Sequence, residues 1–585
     1  MTVLSNALSK IRSFSIDLDK TIKKDDLKIL GLFAFFFIFL YFYTKVSRSF
    51  YSEMEARSWN VWLFEGRISH NTYFLVIACL SGLSVLLSAL GLGIKKQDLP
   101  QLVYVPYVMI ALLFGVISVW HYIPYPLGTD PDKDRLYILS VVMAWTALVS
   151  GVTSIWRPAL GLNAFILWFL LAQNSFVILD YLPRSHTDWA SIAEFGAILA
   201  AIIILFNLAE KNTIFRYQGQ RPFADLLFLR EQAGPRIHGY SPIEIIFFFL
   251  LGLHFSNYVW SGLAKLIELE GPIQMWMTDN PLYLYVPYMH IYDRISAAVP
   301  AGLEQFYFTL IKNFTPFFLI SSMGIQLICL VIIFHRKLLA VTSILLDIFH
   351  AFVFLMAGIL FYKWMVLNVG ISYVFSKERR PIPGSIKILF MIICIFPFLA
   401  GPVKLYKLAW YDMFQFNTYD VYAVLDDGQR VVVPSNFFLN KSLHFSSVGL
   451  MNTFHQRFLG MGAWGGGSYE IMQQTKTCDK SLLVKIDPEL VIREREKFSK
   501  YFNQHHAFMI DHYNDRGALP RFNIYPHHSF SDPNDAEELR SIDFNKVVGY
   551  EIVGSHGCIN PDIENPRTPP YIFKEEKWLI EVSNV

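Results

Sequence analysis

The chain has 585 residues, 54% of them hydrophobic and 16% aromatic, only 17% are charged, and its mean hydropathy is positive. That composition excludes an ordinary soluble globule, and a net charge of +2 points neither to nucleic acid nor to any strongly charged partner. The expected class is an all-α polytopic membrane domain followed by a smaller extracytoplasmic α+β domain at the C-terminus.

Residues 1–27 are polar and lack the short apolar core and small-residue cleavage site of a secretory signal, so they read as a cytoplasmic N-terminal tail. Apolar runs of about 20 residues, the length that crosses a hydrocarbon core of roughly 30 Å, follow near 28–45, 72–94, 102–121, 136–156, 159–181, 191–209, 242–265, 315–335, 338–375 and 385–401. The run 338–375 is too long for one crossing, and Gly358 offers a break, which leaves ten or eleven transmembrane helices within residues 28–402. Basic residues gather ahead of the first run (Lys10, Arg12, Lys20, Lys23, Lys24, Lys28), in the loop 210–241 (Lys211, Arg216, Arg221, Arg230, Arg236), and at Arg336, Lys337, Lys377, Arg379 and Arg380. The positive-inside rule puts all of these in the cytoplasm only if 338–375 crosses twice; eleven spans then leave the C-terminal domain outside.

Two runs carry polar groups that hydrocarbon does not tolerate cheaply. In HFSNYVWSGLAKL, 254–266, the residues His254, Asn257, Ser261 and Lys265 are spaced three, four and four apart and share one helix face. In TSILLDIFHAFVFLMAGILFYKWMVLNVG, 342–370, Asp347 and His350 share a face, and Lys363 and Asn368 follow on the next half. An ionisable group at the bilayer centre costs about 2.5 to 3.5 kcal/mol on insertion scales, so these faces should look into the bundle or into a wet cavity. One reading makes Lys265 an interfacial anchor, His254 and Asn257 packing groups and Asp347 a partner of Lys363. The other makes them the lining of a polar reaction chamber.

From residue 403 to 585 the aliphatic runs vanish and Asn, Asp, His, Pro and Gly become common, which marks a separate domain. VYAVLDDGQRVVVP, 421–434, alternates about an Asp-Gly turn and predicts a β-hairpin; 488–505 has helical spacing; 546–554 and 576–583 predict strands. The glycine-rich GMGAWGGGSYE, 460–470, lacks the order of a phosphate loop and reads as a flexible loop. His505, His506, His512, His527 and His528 fit no metal-binding spacing and read as solvated surface, so no metal is expected. Of five cysteines, Cys79, Cys329 and Cys394 lie in apolar runs; Cys478 and Cys558 lie outside them, and whether they pair is open at this level. No repeat of 20 to 50 residues is present, which argues against a solenoid.

YVWSGLAKL, 258–266, followed by Trp276, resembles the Tyr-x-x-small-Gly-x-x-Lys-Leu…Trp signature of the HTTM domain, the membrane region of vitamin K-dependent gamma-carboxylase and its bacterial relatives. LLDIFHAFVFLMAGILFYKW, 345–364, is similar to that family's later histidine-bearing helix, and the likeness covers about 240–375. The resemblance implies an integral-membrane enzyme using a reduced quinone of the vitamin K hydroquinone type. Lys265 would be the base that deprotonates the quinol, and His350 would orient or stabilise the developing oxyanion; His254, Asn257 and Asp347 would support them. A poorly solvated amine of this kind can act as a proton acceptor near neutral pH. Ala264 stands where the carboxylases carry a second lysine, and 403–585 has no likeness to their propeptide-binding region, so the resemblance reaches the scaffold and the reactive lysine but not glutamate as substrate.

The expected function is therefore a carboxylase-like membrane enzyme acting on a quinol, another lipid-soluble cosubstrate, or a peptide or lipid presented from outside. The alternative is a transporter or lipid-binding membrane protein whose polar stripes line a pathway, although no inverted repeat relates the two halves. A third reading is a scaffold that displays the C-terminal domain.

Overall fold

The computed structural model describes residues 24–55, 99–120, 133–168, 187–211, 237–292 apart from two positions, 299–397, 408–434, 450–458, 466–510 and 541–582, with a few isolated positions between them. The expected span 72–94, the second half of 159–181, most of the loop 210–241, and His512, His527 and His528 lie outside the described residues. The described chain is mostly helical, with a sheet at the C-terminal end.

The helices are α1 (Lys24–Glu55), α2 (Gln101–Trp120), α3 (Lys133–Thr153), α4 (Pro158–Trp168), α5 (Thr187–Lys211), α6 (Pro242–Ile267), α7 (Ile273–Asp279), α8 (Tyr285–Ile291), α9 (Ala301–Asn313), α10 (Thr315–Ile328), α11 (Arg336–Ala357), α12 (Tyr362–Lys377) and α13 (Gly384–Ile395). Among the described residues three of them, α2, α6 and α11, are long and apolar enough to cross a membrane, or four spans if α9 and α10 count as one broken crossing. α6 is buried almost all round, with 94% of its apolar window covered, whereas α11 has 39% of its window covered. A helix apolar on every side belongs at the centre of a bundle, and α1, α5, α10 and α13 pack around α6.

Gly358 takes the left-handed conformation, φ 65°, ψ 18°, that ends α11, and its N–H donates to Phe354 O. The run 338–375 is thus two helices, as the sequence suggested, because a glycine bears that backbone without Cβ strain. The expected run 315–335 differs: α10 stops at Ile328, and it is preceded by α9, bent 80° away. Pro in the first turn of α10 has no N–H to continue the preceding helix, so the axis restarts there.

The basic segments that are described meet at one end of the bundle. Arg380 bonds Glu244 Oε1 at 2.7 Å and Gly239 O at 2.8 Å, its guanidinium lies 4.2 Å from the Tyr240 ring, His238 faces Asp26 at 3.3 Å, and Arg336 donates to Arg379 O. The far ends of α6 and α11 meet the C-terminal domain, where Met356 and Ala357 pack with Phe414, Phe416, Cys558 and Ile559.

The C-terminal domain is built on a four-stranded antiparallel sheet in the order β2-β1-β5-β6, where β1 is Gln415–Leu425, β2 Arg430–Val433, β5 Val547–Cys558 and β6 Tyr571–Glu581; the two-residue strands β3 (Gln456–Arg457) and β4 (Val484–Lys485) pair separately. The predicted hairpin forms with Gly428 at φ 82° in its turn. Helix α14 (Tyr469–Thr475) precedes α15 (Pro488–Met509), which is capped by Asp487 accepting from Glu489 N and packs Phe498, Phe502 and Met509 into the core formed with Tyr550 and Ile552. His505 and His506 correct the surface reading. Both are buried, bonded to Phe437 O at 2.6 Å and Tyr550 Oη at 3.0 Å, because they stand three and four residues after Phe502 on the packed face. Cys478 and Cys558 form a disulfide across a sequence separation of 80 residues, which settles their pairing.

Candidate functional site

α6, α11 and α12 bring five polar side chains together inside apolar surroundings. His254 Nε2 lies 2.9 Å from Asn368 Oδ1; Asn368 Nδ2 donates to Asp347 Oδ1 at 3.0 Å and to Tyr258 Oη at 3.2 Å; Tyr258 Oη lies 2.8 Å from His350 Nε2. All five residues are buried. They come together because His254 and Tyr258 are one turn apart on α6, Asp347 and His350 one turn apart on α11, and the reversal at Gly358 returns Asn368 on α12 between them.

The bonds have a direction. Asn368 spends both amide hydrogens on Asp347 and Tyr258, so its carbonyl oxygen accepts and His254 donates from Nε2. Tyr258, accepting from Asn368, keeps its own O–H for His350 Nε2. Asp347 has one oxygen engaged by Asn368, while Oδ2 is buried and has no hydrogen-bond partner among the described residues. Leaving a buried carboxyl oxygen unbonded costs about 1–3 kcal/mol or more, which is tolerated where a donor arrives in the working state. Aromatic rings wall the network: Trp364 lies 5.0 Å from His254 and 5.1 Å from Tyr258, and Phe361 lies 4.8 Å from His350.

The other expected site residues fall elsewhere. Asn257 donates back to Leu253 O and His254 O of its own helix. Lys265 lies two turns beyond Tyr258, about 10 Å along the axis, and its buried Nζ donates to Ser261 O at 2.9 Å, Gln326 Oε1 at 2.9 Å and Leu408 O at 2.6 Å, with the Trp276 ring 5.5 Å away. Three donated bonds occupy all three protons of an ammonium; a proton-accepting amine at this position would have to release one of these partners. Lys363 is buried with Nζ 5.2 Å from the Trp168 and Tyr362 rings.

Sequence reasoning placed His254, Asp347, His350 and Asn368 on polar faces but passed over Tyr258, which joins α6 to His350. Its spacing of four from His254 was the available signal, hidden because a tyrosine in an apolar helix reads first as packing. Among the described residues no three His, Cys, Asp or Glu side chains converge as a metal centre would require. Comparison with protein-family models, with curated proteins and with solved structures finds no match to this chain.

Proposed function

We propose that the protein is a polytopic membrane enzyme of the carboxylase-like kind, with an extracytoplasmic C-terminal domain, and that the chamber of His254, Tyr258, Asp347, His350 and Asn368 receives a lipid-soluble hydroxyl substrate such as a reduced quinone. The observation that carries the reading is Asp347 Oδ2, a buried acceptor with no donor among the described residues, in a network flanked by the Trp364 and Phe361 rings. A reduced quinone supplies an ionisable hydroxyl and, with oxygen, the strong base that the family resemblance implies.

In this reading Asp347 Oδ2 accepts the substrate hydroxyl and takes its proton, and Asn368 holds the carboxyl in place through Oδ1. Tyr258 accepts from Asn368 and donates its own O–H to His350 Nε2, so the pair holds the second amide hydrogen of Asn368 in place. His254, donating to Asn368, fixes the amide orientation on which both bonds depend. The proton-accepting role given to Lys265 by the family resemblance passes to Asp347, because Lys265 is engaged as a donor to three acceptors.

The test is binding of a reduced short-chain quinone to the full chain in lipid nanodiscs. The parent is expected to bind, and Asp347→Asn to bind at least about 30-fold more weakly, since the acceptor is replaced by an amide. Equal binding by parent and variant would contradict the assignment of Asp347. Absence of quinol binding by a folded parent would favour the pathway reading, in which the same polar groups line a route for transport.

A further inference from the structure

Residues 408–413 form the strap that enters β1 of the C-terminal domain, and the helical region binds its backbone at four points. Lys265 Nζ donates to Leu408 O at 2.6 Å, Trp276 Nε1 to Trp410 O at 3.0 Å, and Tyr288 Oη to Met413 O at 2.5 Å, while Asn280 Oδ1 accepts from Asp412 N at 2.7 Å. The opposite edge of the strap pairs with the glycine-rich segment: Tyr411 and Gly466 exchange backbone bonds at 2.9 and 3.2 Å, and Met413 N donates to Gly462 O at 3.2 Å. Gly467 O accepts in turn from Glu270 N. Gly462 and Gly466 are therefore held against the strap and its neighbours, whereas Gly467 is exposed with open space around it. A Cβ on Gly462 would come within 2.8 Å of the Tyr288 ring.

We propose that Lys265 is a positioning residue, an ammonium clasp that fastens this strap to α6 and so fixes the C-terminal domain relative to the helix that carries the chamber. Its three donated bonds tie together three parts of the chain. The bond to Ser261 O anchors the ammonium to its own helix, the bond to Gln326 brings in α10, and the bond to Leu408 O seizes the strap. α10 can reach because Gly262 removes the side chain that would otherwise meet Leu327 at 2.9 Å. The neighbouring Asp412 completes the lock, buried and bonded by Asn280 Nδ2 and Trp410 Nε1. The inference goes beyond the chamber reading, which uses the Lys265 bonds only to set that residue aside as the base.

Hydrogen exchange of the full chain in nanodiscs tests it. Methionine fills nearly the space of lysine but donates nothing, so Lys265→Met is expected to speed exchange in the peptide covering 408–414 by at least about tenfold, with the middle of α6 unchanged. Lys265→Arg, which keeps donors and charge, is expected to restore much of the protection. Trp276→Phe, which leaves Lys265 intact and removes the bond to Trp410 O, should loosen the same peptide and decides the matter if Lys265→Met does not fold. Parent-like exchange in a folded Lys265→Met, or in Trp276→Phe where Lys265→Met does not fold, overturns the clasp. Quinol binding measured on the same samples reports the chamber separately, so a chamber that binds nothing leaves the exchange result standing.

Discussion

The chamber and the junction lie two turns apart on α6 and are made of the same kinds of residue, yet one is left open and the other is closed. In the chamber a buried carboxyl oxygen, Asp347 Oδ2, lacks a donor among the described residues. At the junction every proton of Lys265 is placed, Asp412 is held by Asn280 and Trp410, Glu304 is held by Arg567 and His290, and Cys478 is bonded to Cys558. Polar residues in an apolar helix thus have two distinct uses, and partners from other parts of the chain decide between them. Substitutions in the closed region should reduce stability and spare ligand binding; those in the open region should do the reverse.

The largest stability effect expected is at the disulfide. Cys558→Ser releases a closed loop of about 80 residues, worth about 4 to 5 kcal/mol in the chain-entropy model, an upper figure. Thermal unfolding of the C-terminal domain should shift down strongly while quinol binding persists; an unshifted transition would break the contrast.

A pH effect comes next, inside the same domain. His556 is buried opposite Lys574 on the neighbouring strand, and Asn417 Oδ1, which also accepts from Phe458 N, takes its Nδ1–H. Burial above all, with the positive charge of Lys574 adding and Glu576 opposing, lowers its pKa to about 4. The unfolded value is about 6.5, so the folded state prefers the neutral ring. The contribution of His556 is complete above about pH 6.5, falls as pH drops from there toward 4, and levels off below, by at most about 3 kcal/mol. Unfolding of His556→Gln should lose that slope; a variant with the parent's pH profile would refute the assignment.

The smallest effect expected is at Glu304, which is fully buried and receives Arg567 Nε at 2.6 Å where the loop of the C-terminal domain meets α9. Because the Arg567 side chain is 41% exposed, Arg567→Met should cost about 2 kcal/mol, between the surface and buried cases. Exchange should rise at the docking loop 560–567 and not in the chamber helices, and a rise confined to the chamber would invert the account.

Much of the framework was legible from local signals. Gly358 stood where an apolar run exceeded one crossing, the Asp-Gly pair marked the hairpin, and the three-and-four spacing put His254, Asp347 and His350 on buried faces. What was hidden depended on distant partners. Nothing near Lys265 in sequence announces Gln326 or Leu408, and Gly462 looks free until the strap and Tyr288 are set against it. The burial of His505 and His506 was encoded in their spacing from Phe502 but outweighed by their polarity.

The most direct test of the chamber is infrared difference spectroscopy on the nanodisc-embedded chain before and after adding a reduced short-chain quinone. The account predicts a change in a buried carboxyl band that is present in the parent and missing in Asp347→Asn. Quinol binding that leaves the carboxyl region unchanged, or that gives the same difference spectrum in Asp347→Asn, would contradict the claim that Asp347 receives the substrate hydroxyl.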